Sequence, residues 1–138
     1  MRYLAIDHGL KRTGMAICDP QETIASPLQV IQTNNSQQLI QKIQQLINEH
    51  NIEAVVMGLP LNDDGSQGQQ AKLVLRFTDR LKKHIQIPIH FQNEYLSTFQ
   101  AKEKIQDAEL TLKEKKKRLD AIAAAQILED FLQQKNDK

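Results

Sequence analysis

The stretch YLAIDHGLKRTGMAIC, residues 3–18, divides into two short apolar runs around the turn GLKRTG, which has glycine at both ends. Residues 2–7 and 14–19 therefore read as two antiparallel strands joined by a longer hairpin loop. The first strand runs straight into Asp7, and a carboxylate at the edge of an apolar core is costly unless something compensates it. Lys11 and Arg12 follow in the same turn. An acid with two cations and two glycines behind it needs a reason.

Working outward, the Asp19-Pro20 turn signal precedes a third strand near 24–31. Ser36 reads as the N-cap of a helix whose Leu39, Ile40, Ile43, Leu46 and Ile47 share one face. IEAVVMGL (52–59) is almost continuously apolar, as a strand covered on both faces should be. The turn-rich PLNDDGSQG follows, then a helix with Ala71, Val74, Phe77 or Thr78, and Leu81 at helical spacing. IPIHF (87–91) is a further strand, ending at Gln92-Asn93-Glu94, and Ser97 with Gln100 fits a capping box opening a third helix. Residues 119–132, LDAIAAAQILEDFL, form the final helix. The order β-β-β-α-β-α-β-α-α, a meander leading into right-handed crossovers, predicts an α/β fold in one domain over 1–138. It is a mixed five-stranded sheet with helices on both faces.

Composition narrows the class. The chain has 138 residues, 40% hydrophobic and 25% charged, as soluble globular proteins do. No apolar run approaches the roughly 20 residues of a membrane span. The run after Arg2 breaks at Asp7, too soon for a secretory signal, so a cytoplasmic protein is expected. One cysteine, Cys18, excludes an intrachain disulfide and a Cys-rich zinc site, and it reads as a buried strand residue. A net charge of +1 says nothing of a nucleic-acid partner, but residues 113–118 hold five cations in six positions. With 4% aromatics and no Trp, a base-stacking platform is not indicated.

Three acids close or follow secondary-structure elements: Asp7 closes the first strand, Glu94 follows the last, and Asp120 sits in the first turns of the final helix. Each has an ordinary explanation, as a turn former, a solvated loop residue, and a partner of the helix dipole worth roughly 0.3–1 kcal/mol. Between 119 and 128, however, the only polar side chains are Asp120 and Gln126. Parallel crossovers gather the C-terminal strand ends, where open α/β sheets bind ligands. With the first strand beside the fourth, Asp7 falls next to GLPLNDDG and near Glu94. Gathered carboxylates raise each other's pKa unless a cation intervenes. Mg²⁺ or Mn²⁺ suits such oxygen donors, and a pair of such ions can hold the attacking and leaving oxygens of a phosphodiester hydrolysis. The pattern suits a metal-dependent nuclease with Asp7, Glu94 and Asp120 as metal ligands and catalytic residues. Lys11 and Arg12 then lie where phosphates approach, and Lys115, Lys116, Lys117 and Arg118 add further phosphate contacts or simply solvate a helix face.

AIDHGLKRTG, VVMGLPLNDDGS, NEYLST and DAIAAAQILEDFL resemble, in that order and over nearly the whole chain, the YqgF-type pre-16S rRNA nuclease family. That family belongs to the ribonuclease-H-like superfamily and is also described as Holliday junction resolvases. The resemblance implies a ribonuclease-H-like fold, a cytoplasmic location and maturation of the 5′ end of small-subunit ribosomal RNA. Asp7 matches the acid of the D-x-G start, Glu94 the glutamate of D-E-R-x-[ST]-[ST], and Asp120 the aspartate heading the last helix. Asn93 stands where the family usually has Asp, and Tyr95 where it has Arg. The partner implied is structured RNA (pre-16S rRNA) or branched DNA, with no membrane, and the chain acts as a monomer or weak dimer.

Other residues carry less. His8 points opposite to Asp7 on its strand and reads as a packed histidine. His50, His84 and His90 share no ligand spacing, and Asp63-Asp64-Gly65 is first a turn. Sugar kinases and actin-like ATPases also open with D-x-G, but they need two such lobes. A non-catalytic RNA-binding assembly factor is the remaining alternative; it would bind structured RNA with or without Asp7.

Overall fold

The computed structural model describes residues 1–62, 64–94 and 112–136, with the side chains of the last segment described from Leu119 onward. β1 (Tyr3–His8), β2 (Arg12–Cys18) and β3 (Ala25–Gln32) form the antiparallel meander. Then come α1 (Ser36–Glu49), β4 (Ala54–Pro60), α2 (Gln69–Lys82), β5 (Ile89–Glu94) and α3 (Leu112–Asn136). The sheet order is β3-β2-β1-β4-β5, with β1, β4 and β5 mutually parallel. The mixed five-stranded sheet read from the sequence is thus present, with β1 beside β4.

The period of two along the strands separates two cores. Leu4 and Ile6, with Val55, Met57 and Leu59, face α1 and α2. Tyr3, Ala5, Ala54 and Val56 face α3, whose Ala124, Ala125, Ile127, Leu128 and Leu132 cover them. Small residues on α3 let its backbone approach the sheet closely. Gly58 on β4 continues this, because a Cβ there would lie 2.4 Å from Ile127 Cδ1.

The ends of β1 to β4 shift by one or two residues from the sequence reading, β2 opening already at Arg12, and three further boundaries differ. The N-cap of α1 is Asn35, whose side chain accepts from Gln37 N and Gln38 N, so Ser36 is the first helical residue. β5 spans 89–94 rather than 87–91, so Gln92, Asn93 and Glu94 belong to the strand and pair with β4. The last helix begins at Leu112, because the basic run continues the helix that the Ala/Leu pattern marks only from 119. Asp63, Tyr95 and the capping box at Ser97 and Gln100 lie outside the described residues.

Candidate active site

Alternation along β1 sends Asp7 to the α3 side and His8 to the α2 side. Opposite Asp7 in the hairpin register stands Gly14. A Cβ on Gly14 would sit 2.0 Å from the backbone O of Asp120 and 2.9 Å from Ala121 N. The absence of a side chain there lets α3 cross β2 with Asp120 over the cross-strand neighbour of Asp7. Gly9 closes the turn, where a Cβ would meet Arg12 O at 2.5 Å. The two glycines of GLKRTG therefore shape the turn and admit the helix.

Asp7, Glu94 and Asp120 line one cavity of about 510 Å³ at the C-terminal ends of β1, β4 and β5. Gly58 and Pro60 of β4, Asn62 of the following loop, and Gln69 and Gln70 at the start of α2 complete much of its wall. Burial, with the Asp120 charge nearby, pushes the Asp7 carboxyl up to about 6. Burial also pushes Glu94 up to about 9, helped by the hydrogen bond its protonated form donates to Asp130 and by the charges of Asp130 and Asp7. Glu94 Oε1 is buried without a hydrogen-bond partner. Asp120 is raised by burial, against the pull of Arg12. Burial is the largest cause at all three, and neighbouring acids add to it at Asp7 and Glu94.

Arg12 Nε donates to Asp120 Oδ2 at 2.8 Å. This cation therefore meets the acid cluster itself rather than standing free at the turn. Lys11 is exposed at the hairpin tip and does not line the cavity. Lys115, Lys116, Lys117 and Arg118 lie on the α3 backbone, and their side chains fall outside the described residues. Asn93 is exposed on the face of β5 opposite Glu94, so this departure from the family pattern sits off the cavity. His8 stacks on Phe77 with ring centroids 4.2 Å apart, and burial lowers its pKa to about 4. It packs against α2 as a neutral imidazole and also reaches the cavity wall. Asp64 accepts from Ser66 N and holds the turn.

Asp130 and its neighbour Gln126 escaped the sequence reading. Gln126 Nε2 donates to Asp130 Oδ1 at 3.0 Å, and Asp130 in turn bonds Glu94. The available signal was their i, i+4 spacing on α3. As the side chains stand, no group of three or more His, Cys, Asp or Glu is close enough to hold a metal ion among the described residues. The donor set nevertheless fits a hard divalent cation. It offers carboxylate oxygens from three elements around one cavity, one of them, Glu94 Oε1, buried and unpartnered.

Residues 1–134 match the family model described as RuvX, Holliday junction resolvase. A relative from Roseiflexus sp. (strain RS-1), named "Putative pre-16S rRNA nuclease", is 39% identical over 131 residues, 95% of this chain and 93% of that protein. One of the same name from Thermoanaerobacter pseudethanolicus is 34% identical over 139 residues and covers both chains completely. Among solved structures, T. thermophilus RuvC in complex with a Holliday junction substrate matches with a TM-score of 0.59 at 14% identity. The match covers 96% of this chain and 94% of that one. The Fowlpox virus resolvase with Holliday junction DNA matches with a TM-score of 0.59 at 14% identity, over 97% and 98%. At that identity the likeness establishes the fold, the ribonuclease-H-like sheet of these resolvases.

Proposed function

We propose, since the chain belongs to the RuvX (Holliday junction resolvase) family, that it is a metal-dependent nuclease whose substrate is the 5′ region of pre-16S rRNA. The observation that supports this most is the convergence of Asp7, Glu94 and Asp120 on one cavity from three separate segments of the chain. The names of the 34–39% identical relatives favour the RNA substrate. A cytoplasmic location belongs to the same proposal.

Asp7, Glu94 and Asp120 would hold the divalent cation, Mg²⁺ or Mn²⁺. When bound, such a cation supplies Lewis-acid activation of water and neutralisation of charge at a transferring phosphate. The chain's own groups do the rest. Gly14 sets Asp120 over the sheet beside Asp7, and Asp130, steadied by Gln126, holds the Glu94 carboxyl group. Arg12 restrains Asp120 and places a guanidinium on the cavity wall, where it can meet a phosphate oxygen. Raised pKa values keep Asp7 and Glu94 partly or wholly protonated without metal, so ligation takes the place of a proton.

The test is cleavage of a 5′-extended 16S precursor and of a four-way DNA junction, with chelator and with Mg²⁺ or Mn²⁺. The parent should cut the precursor only with metal, and Asp7→Asn, Glu94→Gln and Asp120→Asn should bind it without cutting. A second reading, junction resolution, is favoured by the fold shared with the two junction-bound resolvases. Cutting of the junction alone would select it. Metal-independent binding with no cleavage of either substrate would leave an assembly factor instead.

A further inference from the structure

α2 turns Ala71, Val74, Phe77, Thr78 and Leu81 into the core and leaves its other face to solvent. On that face Lys72, Arg76, Arg80 and the C-cap Lys83 are exposed at steps of four, four and three residues, which share one side of a helix. Asp79 is the one exposed acid among them. Among the described residues none of the four side chains has an ion-pair or hydrogen-bond partner. Like charges at i, i+4 destabilise a helix by roughly 0.2–0.5 kcal/mol per pair, and only Arg80 lies in the last turn where the helix dipole favours a cation, so Lys72 and Arg76 are not arranged for the stability of α2. α1, on the same side of the sheet, shows the contrast. Its exposed face is mostly glutamine, with Lys42 as its one exposed cation.

The basic face is continuous with the acid-lined cavity. Gln69 lines that cavity and also a shallow groove with Lys72, Leu73 and Arg76. Farther along, Arg80, Lys83 and His84 share a second groove with Gln37, Gln41 and Gln44 of α1. Amides beside cations provide donors for phosphate and sugar oxygens. We infer that this face of α2 is a track for the phosphate backbone of the nucleic acid whose scissile bond enters the cavity. The inference rests on the nuclease reading and gives that site a direction. The 14 residues of α2 rise about 21 Å. That is about six nucleotides at 3.4 Å per nucleotide along a duplex strand.

The experiment uses the full chain carrying Lys72→Gln, Arg76→Gln, Arg80→Gln and Lys83→Gln together, with Lys42→Gln as the control. Binding of a 5′-extended 16S precursor fragment is measured in chelator between about 50 and 200 mM salt. Removing one cation that neutralises a phosphate should flatten the log–log salt slope by about 0.7–0.9, so the quadruple variant should flatten it by about 3. Lys42→Gln should leave it unchanged. With metal, the quadruple variant should cut long precursor more slowly than the parent. It should cut at the parental rate once the substrate carries fewer than about six nucleotides on either side of the bond. An unchanged slope in a variant that melts like the parent overturns the track. Should the quadruple variant misfold, the Lys72/Arg76 and Arg80/Lys83 pairs are compared separately, each flattening the slope by about half as much. A parent that binds without ever cutting sinks the nuclease reading, and the slope comparison still decides the track.

Discussion

At Gly14 a missing methyl group determines where Asp120 can lie. A Cβ would meet the Asp120 carbonyl oxygen at 2.0 Å, and backbone on both sides has little room to yield. Gly14→Ala should therefore cost at least the 1–3 kcal/mol typical of overpacking and displace Asp120 from the cavity. Gly58→Ala is the informative comparison, since its closest obstacle is the end of the Ile127 side chain. It should lower the Tm less and leave metal binding intact. Equal losses in the two variants would mean that close helix approach at Gly14 has no special part in the site. The sequence shows GLKRTG as a glycine-closed turn, and Asp7 as an acid in an apolar setting. It cannot show that a helix from the far end of the chain crosses Gly14, because no local pattern encodes that contact. For the same reason Arg12 reads as a free cation until its bond to Asp120 is seen.

Helix termini carry the main differences at the scale of elements. Asn35 caps α1 through two backbone N–H groups, while Ser36 has already entered the helix. Asn35→Ala should cost about 1 kcal/mol and Ser36→Ala distinctly less, measured by denaturant unfolding. A larger loss for Ser36→Ala would restore serine as the cap. The sequence placed the apolar faces of α1 and α2 correctly because their core residues keep a helical period. It misplaced the start of α3 because Leu112 to Arg118 has no apolar face to count. The consequence reaches the site. Asp120 lies well inside a helix that starts at Leu112, beyond the first turn in which a helix dipole favours an acid. Its placement against Arg12 and Asp7 is what accounts for it. From α3, Asp130 also restrains Glu94. Asp130→Ala should weaken Mn²⁺ binding about 10–100-fold, the usual effect of removing a group that orients a ligand. Unchanged affinity would confine Asp130 to the packing of α3 on β5.

For the molecule as a whole, the acid cluster is a source of instability that the proposed cation would relieve. Asp7 rises from 3.8 to about 6 and Glu94 from 4.5 to about 9 on folding. A carboxyl group with a raised folded pKa binds its proton more tightly in the native state. Its contribution is present at low pH and lost as pH rises through the folded value. In chelator, these two acids should therefore lower the Tm between about pH 4 and about pH 9, with Glu94 responsible above about pH 6. Glu94→Gln should flatten the upper part of that profile; an unchanged profile would place Glu94 outside the cluster. The most direct test of the metal site is a set of four thermal melts near neutral pH, parent and Asp7→Asn, each with chelator and with Mg²⁺ or Mn²⁺. Near neutral pH Glu94 keeps its proton, and Asp7→Asn removes a buried charge that faces Asp120, so the metal-free variant should melt at the parental temperature or above, although most substitutions destabilise. Metal should reverse the order, because a ligand of the native state stabilises by RT ln(1 + [L]/Kd) and the variant has lost a ligand to it. An Asp7→Asn protein that melts lower in chelator, and that metal shifts as much as the parent, would make Asp7 a structural turn residue and contradict the metal site.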